Sequence, residues 1–318
     1  MTPVQVILII AAIVVFIALS GFIFMWIYVW GIAKKQYSEM FIRTSPDKWA
    51  RGNSCPENEE HSVMFNYGMD WGRANASHKE DIEITSKDGL KLKGEYFNFG
   101  FDRAVLILAG RAETVLYCYY FSDLFQKAGC NVIVVDPRAC GLSEGKYTTA
   151  GIREGEDAGL WLDFIHEKYG IEKFYIHGIC VGSAEAIYVA AENKPYLKGI
   201  ILEGPYSAFY KVLKMRTKNH GKPTFPVCLQ MAILYKKLAG VNVFKHKPIE
   251  EIQKTNVPAL FLCGKEDKSN SPADFTKIYD ACGSKNKKFV WFEHGAHSHL
   301  RFVNPEKYDS EVIDFINS

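Results

Sequence analysis

Three short stretches hold residues whose types and order could do covalent chemistry. In "YIHGICVGSAEA", Cys180 lies between Gly178 and Gly182. This is the pattern of a nucleophile elbow, G-x-S-x-G, with cysteine in the serine position. In "GKEDKS", Asp267 follows Gly264 by three residues, with Glu266 beside it. In "EHGAHSHL", His294, His297 and His299 stand close together. A thiol beside an imidazole is pulled toward the thiolate, and the imidazole needs an acid to orient it. On the strand-turn-helix architecture that carries such an elbow, the order along the chain is nucleophile, acid, histidine. His294 abuts an apolar run and His299 begins the next segment. His297 follows a Gly-Ala pair that lets the loop fold back, so it is the expected base, with Asp267 as its orienting acid.

These residues need elements to carry them. The run "KFYIHGI" (173–179) reads as a strand and "VGSAEAIYVAAE" as a helix, so Cys180 falls at their junction. Such a tight turn tolerates only small residues on either side, which Gly178 and Gly182 supply. It lifts the thiol above the carboxyl edge of a sheet and places it at a helix N-terminus, which favours a thiolate. The helix start also offers the Val181 N–H to a developing oxyanion, and the loop after "AVLILAG" offers the Arg111 N–H. The Arg111 side chain itself reads as a solvated surface group.

Further apolar runs, at 104–110, 131–136, 198–204, 259–264 and 288–293, alternate with helix-like segments near 115–128, 153–169, 273–283 and 305–317. The runs are continuous rather than alternating, as for strands covered on both faces. "DIEITSKDGLKLKGEYFNF" reads as two alternating strands turning at Asp88-Gly89. The expectation is a mostly parallel, mixed α/β sheet with helices on both faces. More than 50 residues separate "KGIILEG" from "ALFLCG", and they include the apolar "FPVCLQMAILYKKLAGV". A connection that long suits a helical cap, at about 206–250, over a binding site.

The N-terminus is of another kind. Val6 to Ala33 carries no charge, and about 20 apolar residues cross a bilayer. Trp26, Tyr28 and Trp30 sit where an interfacial aromatic belt belongs. No basic region precedes the run, which argues against a cleaved signal peptide. Lys34, Lys35, Arg43, Lys48 and Arg51 all follow it, so the positive-inside rule puts the main domain in the cytoplasm. The expected organisation is an anchor over 1–35, a juxtamembrane connector with one helix over 36–78, and the catalytic domain over 79–318.

The 38 Lys and Arg nearly balance the 36 Asp and Glu, which excludes the strong basic bias of a nucleic-acid binder. The eight cysteines show no C-x-x-C pair and no zinc-type spacing, so neither a disulfide framework nor a metal site is expected. No cofactor is implied.

From about residue 80 onward the chain resembles the α/β-hydrolase superfamily. More narrowly it is similar to bacterial membrane-anchored hydrolases of the serine aminopeptidase/lysophospholipase-like type. "DPRACGLSEG" (136–145) resembles that group's D-x-R-G-x-G-x-S-x-G loop, and "AGRAET" its H-G-x-x-E-T oxyanion loop. "GKED" and "GAHSHL" resemble its acid and histidine segments. The resemblance implies Cys180 as nucleophile, Asp267 as acid, His297 as base, and Arg111 and Val181 as oxyanion donors. Three positions depart from it: Cys180 for serine, Ala109 for the histidine before Gly110, and Ala139-Cys140 for Gly-x in the loop. The expected activity is cleavage of ester or thioester bonds, less readily amides, in a small-molecule or lipid-like acyl substrate. A catalytically inactive binding module and a cysteine-dependent acyl transferase are the alternatives, with Cys140–Cys180 redox chemistry beyond them.

Overall fold

A computed structural model describes residues 2–53 and 59–318; Cys55 and most of "NSCPENEE" lie outside them. The chain opens with α1 (Pro3–Phe41), then α2 (Glu59–Ala74) and the hairpin β1 (Lys79–Thr85) and β2 (Lys91–Phe97). There follow β3 (Arg103–Leu108), α3 (Val115–Lys127), β4 (Asn131–Val135), α4 (Ile152–Tyr169), β5 (Lys173–Ile179), α5 (Val181–Ala191) and β6 (Leu197–Glu203). The cap helices α6 (Phe209–Asn219) and α7 (Val227–Leu238) come next, with the single turn α8 (Pro248–Glu251). The chain ends with β7 (Ala259–Gly264), α9 (Pro272–Ala281), β8 (Lys287–Phe292), the short α10 (Leu300–Val303) and α11 (Pro305–Asn317).

The eight strands form one sheet in the order β1-β2-β4-β3-β5-β6-β7-β8. β2 runs antiparallel to β1 and β4, and the remaining pairs are parallel. The central strands β3, β4 and β7 are buried along nearly their whole length, which is why their sequences are apolar without alternation. Trp161, Leu162 and Ile187 cover one face of the sheet; Phe121, Phe125 and Tyr308 cover the other. This is the α/β-hydrolase fold.

α1 is the one helix among the described residues that is long and apolar enough to cross a membrane. Its first turn is closed reciprocally: Thr2 Oγ1 accepts from the Gln5 N–H, and Gln5 Oε1 accepts from the Thr2 N–H. At about 1.5 Å per residue, its 39 residues reach well beyond a hydrocarbon core of about 30 Å. The helix continues through Lys34 and Lys35 to Phe41, past the expected anchor boundary at residue 35. The reason is a second apolar stripe. Ala33, Gln36, Tyr37, Met40 and Phe41 are buried, at helical spacing, while Lys34 and Lys35 face outward.

That stripe packs on the cap. Tyr37 meets Tyr235 edge-on with ring centres 5.1 Å apart, and Phe41 lies 4.7 Å from Tyr235 and 5.9 Å from Phe209. Gln230 Nε2 donates to the Trp26 carbonyl at 2.9 Å. Lys48 closes the C-terminal end of α1, its ammonium donating to the carbonyls of Ser38, Glu39 and Ile42 at 2.6–2.9 Å.

Tyr37→Ala removes a side chain that is 1% exposed. We predict a loss of about 3 kcal/mol, seen as a lower unfolding midpoint of the full chain in detergent micelles. Tyr28→Ala, at a position 68% exposed on the same helix, should leave the midpoint unchanged.

Candidate active site

The elbow is built from backbone geometry. Cys180 adopts φ 56° and ψ −108°, between the end of β5 and the start of α5. A non-glycine residue held there costs about 1–3 kcal/mol. The surroundings hold it firmly. The Cys180 N–H donates to the Glu203 carbonyl at 2.9 Å. The Ser183 hydroxyl lies 2.7 Å from the Gly178 carbonyl and 2.9 Å from that of Glu203. The two glycines are required by close approach. A Cβ on Gly178 would stand 2.3 Å from the Gly182 carbonyl oxygen, and one on Gly182 would stand 2.1 Å from that of Leu108. Val181 heads α5, so its N–H has no carbonyl within the helix to bond.

His297 and Asp267 arrive from the loops after β8 and β7. His297 Nδ1 lies 2.7 Å from Asp267 Oδ2. The other carboxylate oxygen accepts from the N–H groups of Ser269 at 2.6 Å and Asn270 at 3.0 Å, which fixes its plane. The neighbouring candidates are directed elsewhere. Glu266 takes His294 at 3.2 Å and the Gly295 N–H at 3.0 Å, and His299 Nδ1 lies 2.8 Å from the His297 carbonyl. Room for the imidazole comes from Gly204, at φ 59°: a Cβ there would stand 3.1 Å from His297 Cε1. The sequence reading did not single out Gly204, although a glycine directly after a strand was the available signal.

His297 Nε2 is buried and bonds no nitrogen or oxygen among the described residues. The group it acts on is the Cys180 thiol. His297 acts on it chiefly through its charge. Burial pushes the thiol up, but the charge of His297 and its hydrogen-bonding pull, then Arg216, outweigh it and bring the thiol down to about 7. Burial likewise disfavours imidazolium, but Cys180 and Asp267 more than offset it and raise His297 well above the usual range. The arrangement is a buried thiol beside an imidazole whose Nδ1 is held by a carboxylate, with charges that favour the thiolate–imidazolium form.

The loop after β3 is held by two acids. The Glu113 carboxylate oxygen accepts from the Gly110 N–H at 2.6 Å, closing a short turn with Ala112 at φ 65°. Burial, then proximity to Cys180, raises Glu113 to about 8. Asp136, at the end of β4, accepts from the Val115 N–H at 3.0 Å, the Leu142 N–H at 2.9 Å and the Arg51 guanidinium at 2.7 Å. It ties the start of α3, the 137–145 loop and the juxtamembrane segment to one carboxylate. The Arg111 side chain differs from the sequence expectation. It is half-buried rather than solvated, and Nη1 donates to the Met40 carbonyl at 3.1 Å, because α1 descends onto this loop.

Beside the thiol lies a narrow, nearly filled cleft lined by Met40 and Phe41 of α1, Phe209, Leu213 and Arg216 of α6, and Arg111. Its lining is mainly apolar, and the anchor helix supplies part of the wall. Cys140 is buried and held protonated by burial, then by Glu154 and Asp136. Burial likewise raises the thiols of Cys118, Cys130 and Cys263, which leaves them unactivated. Among the described residues, no group of three His, Cys, Asp or Glu has the geometry to hold a metal ion.

The architecture is the α/β-hydrolase fold, and comparison with known proteins agrees on it. A family model described as "alpha/beta hydrolase fold" matches residues 103–220. The uncharacterized membrane protein YNL320W of Saccharomyces cerevisiae is 26% identical over 242 residues, covering 74% of this chain and 79% of that protein. Protein bem46 of Schizosaccharomyces pombe is 24% identical over 168 residues, 53% of this chain and 52% of that one. Among solved structures, the Pyrococcus furiosus esterase Pf2001 superposes with a TM-score of 0.66 at 22% identity, covering 77% of this chain and 93% of that chain.

The pH dependence of Cys180 alkylation follows from these electrostatics. The folded thiol pKa is depressed, so thiolate is lost as pH falls through about 7 and is fully present above it. Alkylation by iodoacetamide should therefore rise with a midpoint near 7, against an ordinary thiol value of 9.0. His297→Ala leaves burial as the dominant influence and should move the midpoint above 9.0. The rate constant read by mass spectrometry on the Cys180 peptide checks both.

Proposed function

We propose that this chain is a membrane-anchored hydrolase that cleaves ester or thioester bonds through Cys180, His297 and Asp267, by way of an acyl-enzyme. The observation that carries the reading is the pairing of His297 with Asp267 at 2.7 Å, beside a thiol brought down to about 7.

In this reading the Cys180 thiolate attacks the substrate carbonyl carbon, and the carbonyl oxygen becomes an oxyanion. The Val181 and Arg111 N–H groups receive it. Collapse breaks the bond to the leaving oxygen or sulfur, and His297 Nε2 gives that group its proton. A water molecule then gives a proton to His297 and attacks the thioester carbonyl. The acid leaves and the thiolate–imidazolium pair returns. Asp267 holds the ring so that Nε2 points at the reacting atoms and stabilises the imidazolium. Esters and thioesters suit this pair better than amides, because their leaving groups ask less of the general acid.

The apolar pocket, walled in part by α1, suits an acyl group drawn from a lipid-like substrate. α1 is read as a single membrane span, and the cations that follow it support a cytoplasmic catalytic domain at the cell membrane. The similarity to a yeast protein named as a membrane protein supports the anchor, and the likeness to an esterase structure supports the reaction class.

The full chain in detergent should hydrolyse p-nitrophenyl and thioester acyl substrates. Cys180→Ala should abolish turnover, and His297→Ala should lower kcat/KM by about 10²–10⁴-fold. Turnover that persists in Cys180→Ala would remove this nucleophile from the account. Absence of turnover and of acylation in the wild type would favour the binding-module alternative.

A further inference from the structure

The cap differs in charge from the rest of the chain. Between Pro205 and Ile249 there are nine Lys and Arg and no Asp or Glu, in a sequence whose overall balance is 38 against 36. Two of the cations on α6 have defined partners. Lys211 pairs with Asp274 at 3.0 Å, and Lys214 lies over the Tyr210 ring at 4.9 Å. Arg216 is half-buried and has no carboxylate partner among the described residues. It lines the pocket that contains Cys180, close enough for its charge to act on the thiol.

A half-buried guanidinium without a counter-ion, in a mainly apolar pocket, costs solvation unless an anion completes it. Guanidinium presents a planar fork that matches a carboxylate or a phosphate. The apolar remainder of the wall, from Met40, Phe41, Phe209 and Leu213, fits a hydrocarbon chain. We propose that Arg216 binds the anionic group, carboxylate or phosphate, of a negatively charged amphiphilic substrate, and so sets specificity at this site. The proposal rests on Cys180 being the reactive group, and it assigns Arg216 a binding role. Held against Arg216, such a substrate lies with its hydrocarbon along the α1 side of the pocket and its carbonyl over the thiol.

The test compares two alkylating reagents of similar size and opposite fit, iodoacetate and iodoacetamide, on the full chain in neutral detergent. The rate at Cys180 is read by mass spectrometry. Loss of Arg216 changes thiolate content equally for both reagents, so the ratio of their rates isolates anion recognition. In the wild type iodoacetate should be favoured relative to its ratio on free cysteine. Arg216→Gln should lower the iodoacetate-to-iodoacetamide ratio by about 5–10-fold, and Arg216→Lys should restore part of it. The iodoacetamide rate in each variant reports that the site is still folded. Dodecyl phosphate should protect Cys180 from iodoacetamide in the wild type and much less in Arg216→Gln, and inorganic phosphate at the same concentration should not protect. A ratio that changes less than twofold in Arg216→Gln overturns the proposal. Equal protection by inorganic phosphate overturns the assignment to an amphiphile. Failure of both reagents to modify Cys180 in the wild type overturns the reactive-thiol reading and this inference with it.

Discussion

The site depends on one close approach. α5 starts so near the end of β3 that a single methyl group on Gly182 would collide with the Leu108 carbonyl. The chain can turn there only with glycines on both sides of Cys180, and the residue between them must accept a left-handed backbone. That strain brings three consequences together. The thiol stands above the carboxyl edge of the sheet. The Val181 N–H is left over at the helix start. The β6 carbonyl of Glu203 fixes the turn from the far side. Histidine and acid then need only reach one point, and loops after β7 and β8 are long enough to do so.

The apolar helix α1 is also part of the domain's packing. Its second stripe, from Ala33 to Phe41, is buried against the cap, and its last residues line the pocket over Cys180. The segment that follows is bound to the same loops that carry the site. Arg43 donates to the carbonyls of Gly141 and Ser143 at 3.0 and 3.2 Å, and Arg51 bridges Asp136 and Glu95. Movement of the helix relative to the domain would therefore be felt by the loop after β3, because Arg111 is held to the Met40 carbonyl. This coupling gives a physical reason for a membrane to influence turnover in the proposed hydrolase.

Much of the fold was legible because the strands are simple. Runs such as "KFYIHGI" and "ALFLCG" are buried on both faces, so their apolar continuity marks their ends to within a residue. The hairpin at Asp88-Gly89 was legible from its turn chemistry, with Gly89 at φ 86°. Asp267 and His297 could be picked because each follows a strand end and a small-residue turn, and the structure brings these two together. What escaped is contact between distant segments. Met40, Phe41 and Arg216 line one cleft with Cys180, on elements whose placement no local pattern encodes. The α1 extension did carry a signal, the i, i+3, i+4, i+7 spacing of Ala33, Gln36, Tyr37 and Met40, but the lysines at 34 and 35 mask it. Arg111 read as a surface group for the same reason: the helix that half-buries it lies 70 residues upstream.

The central claim is that Cys180 carries the acyl group during turnover. Intact-protein mass spectrometry of the full chain, quenched in acid soon after mixing with an acyl thioester, tests it most directly. The account predicts a mass increase equal to one acyl group, located on the Cys180 peptide, removed by neutral hydroxylamine and accumulating further in a variant whose His297 cannot activate water. An acyl group found on another residue, or product acid released at full rate with Cys180 replaced by alanine, would contradict it.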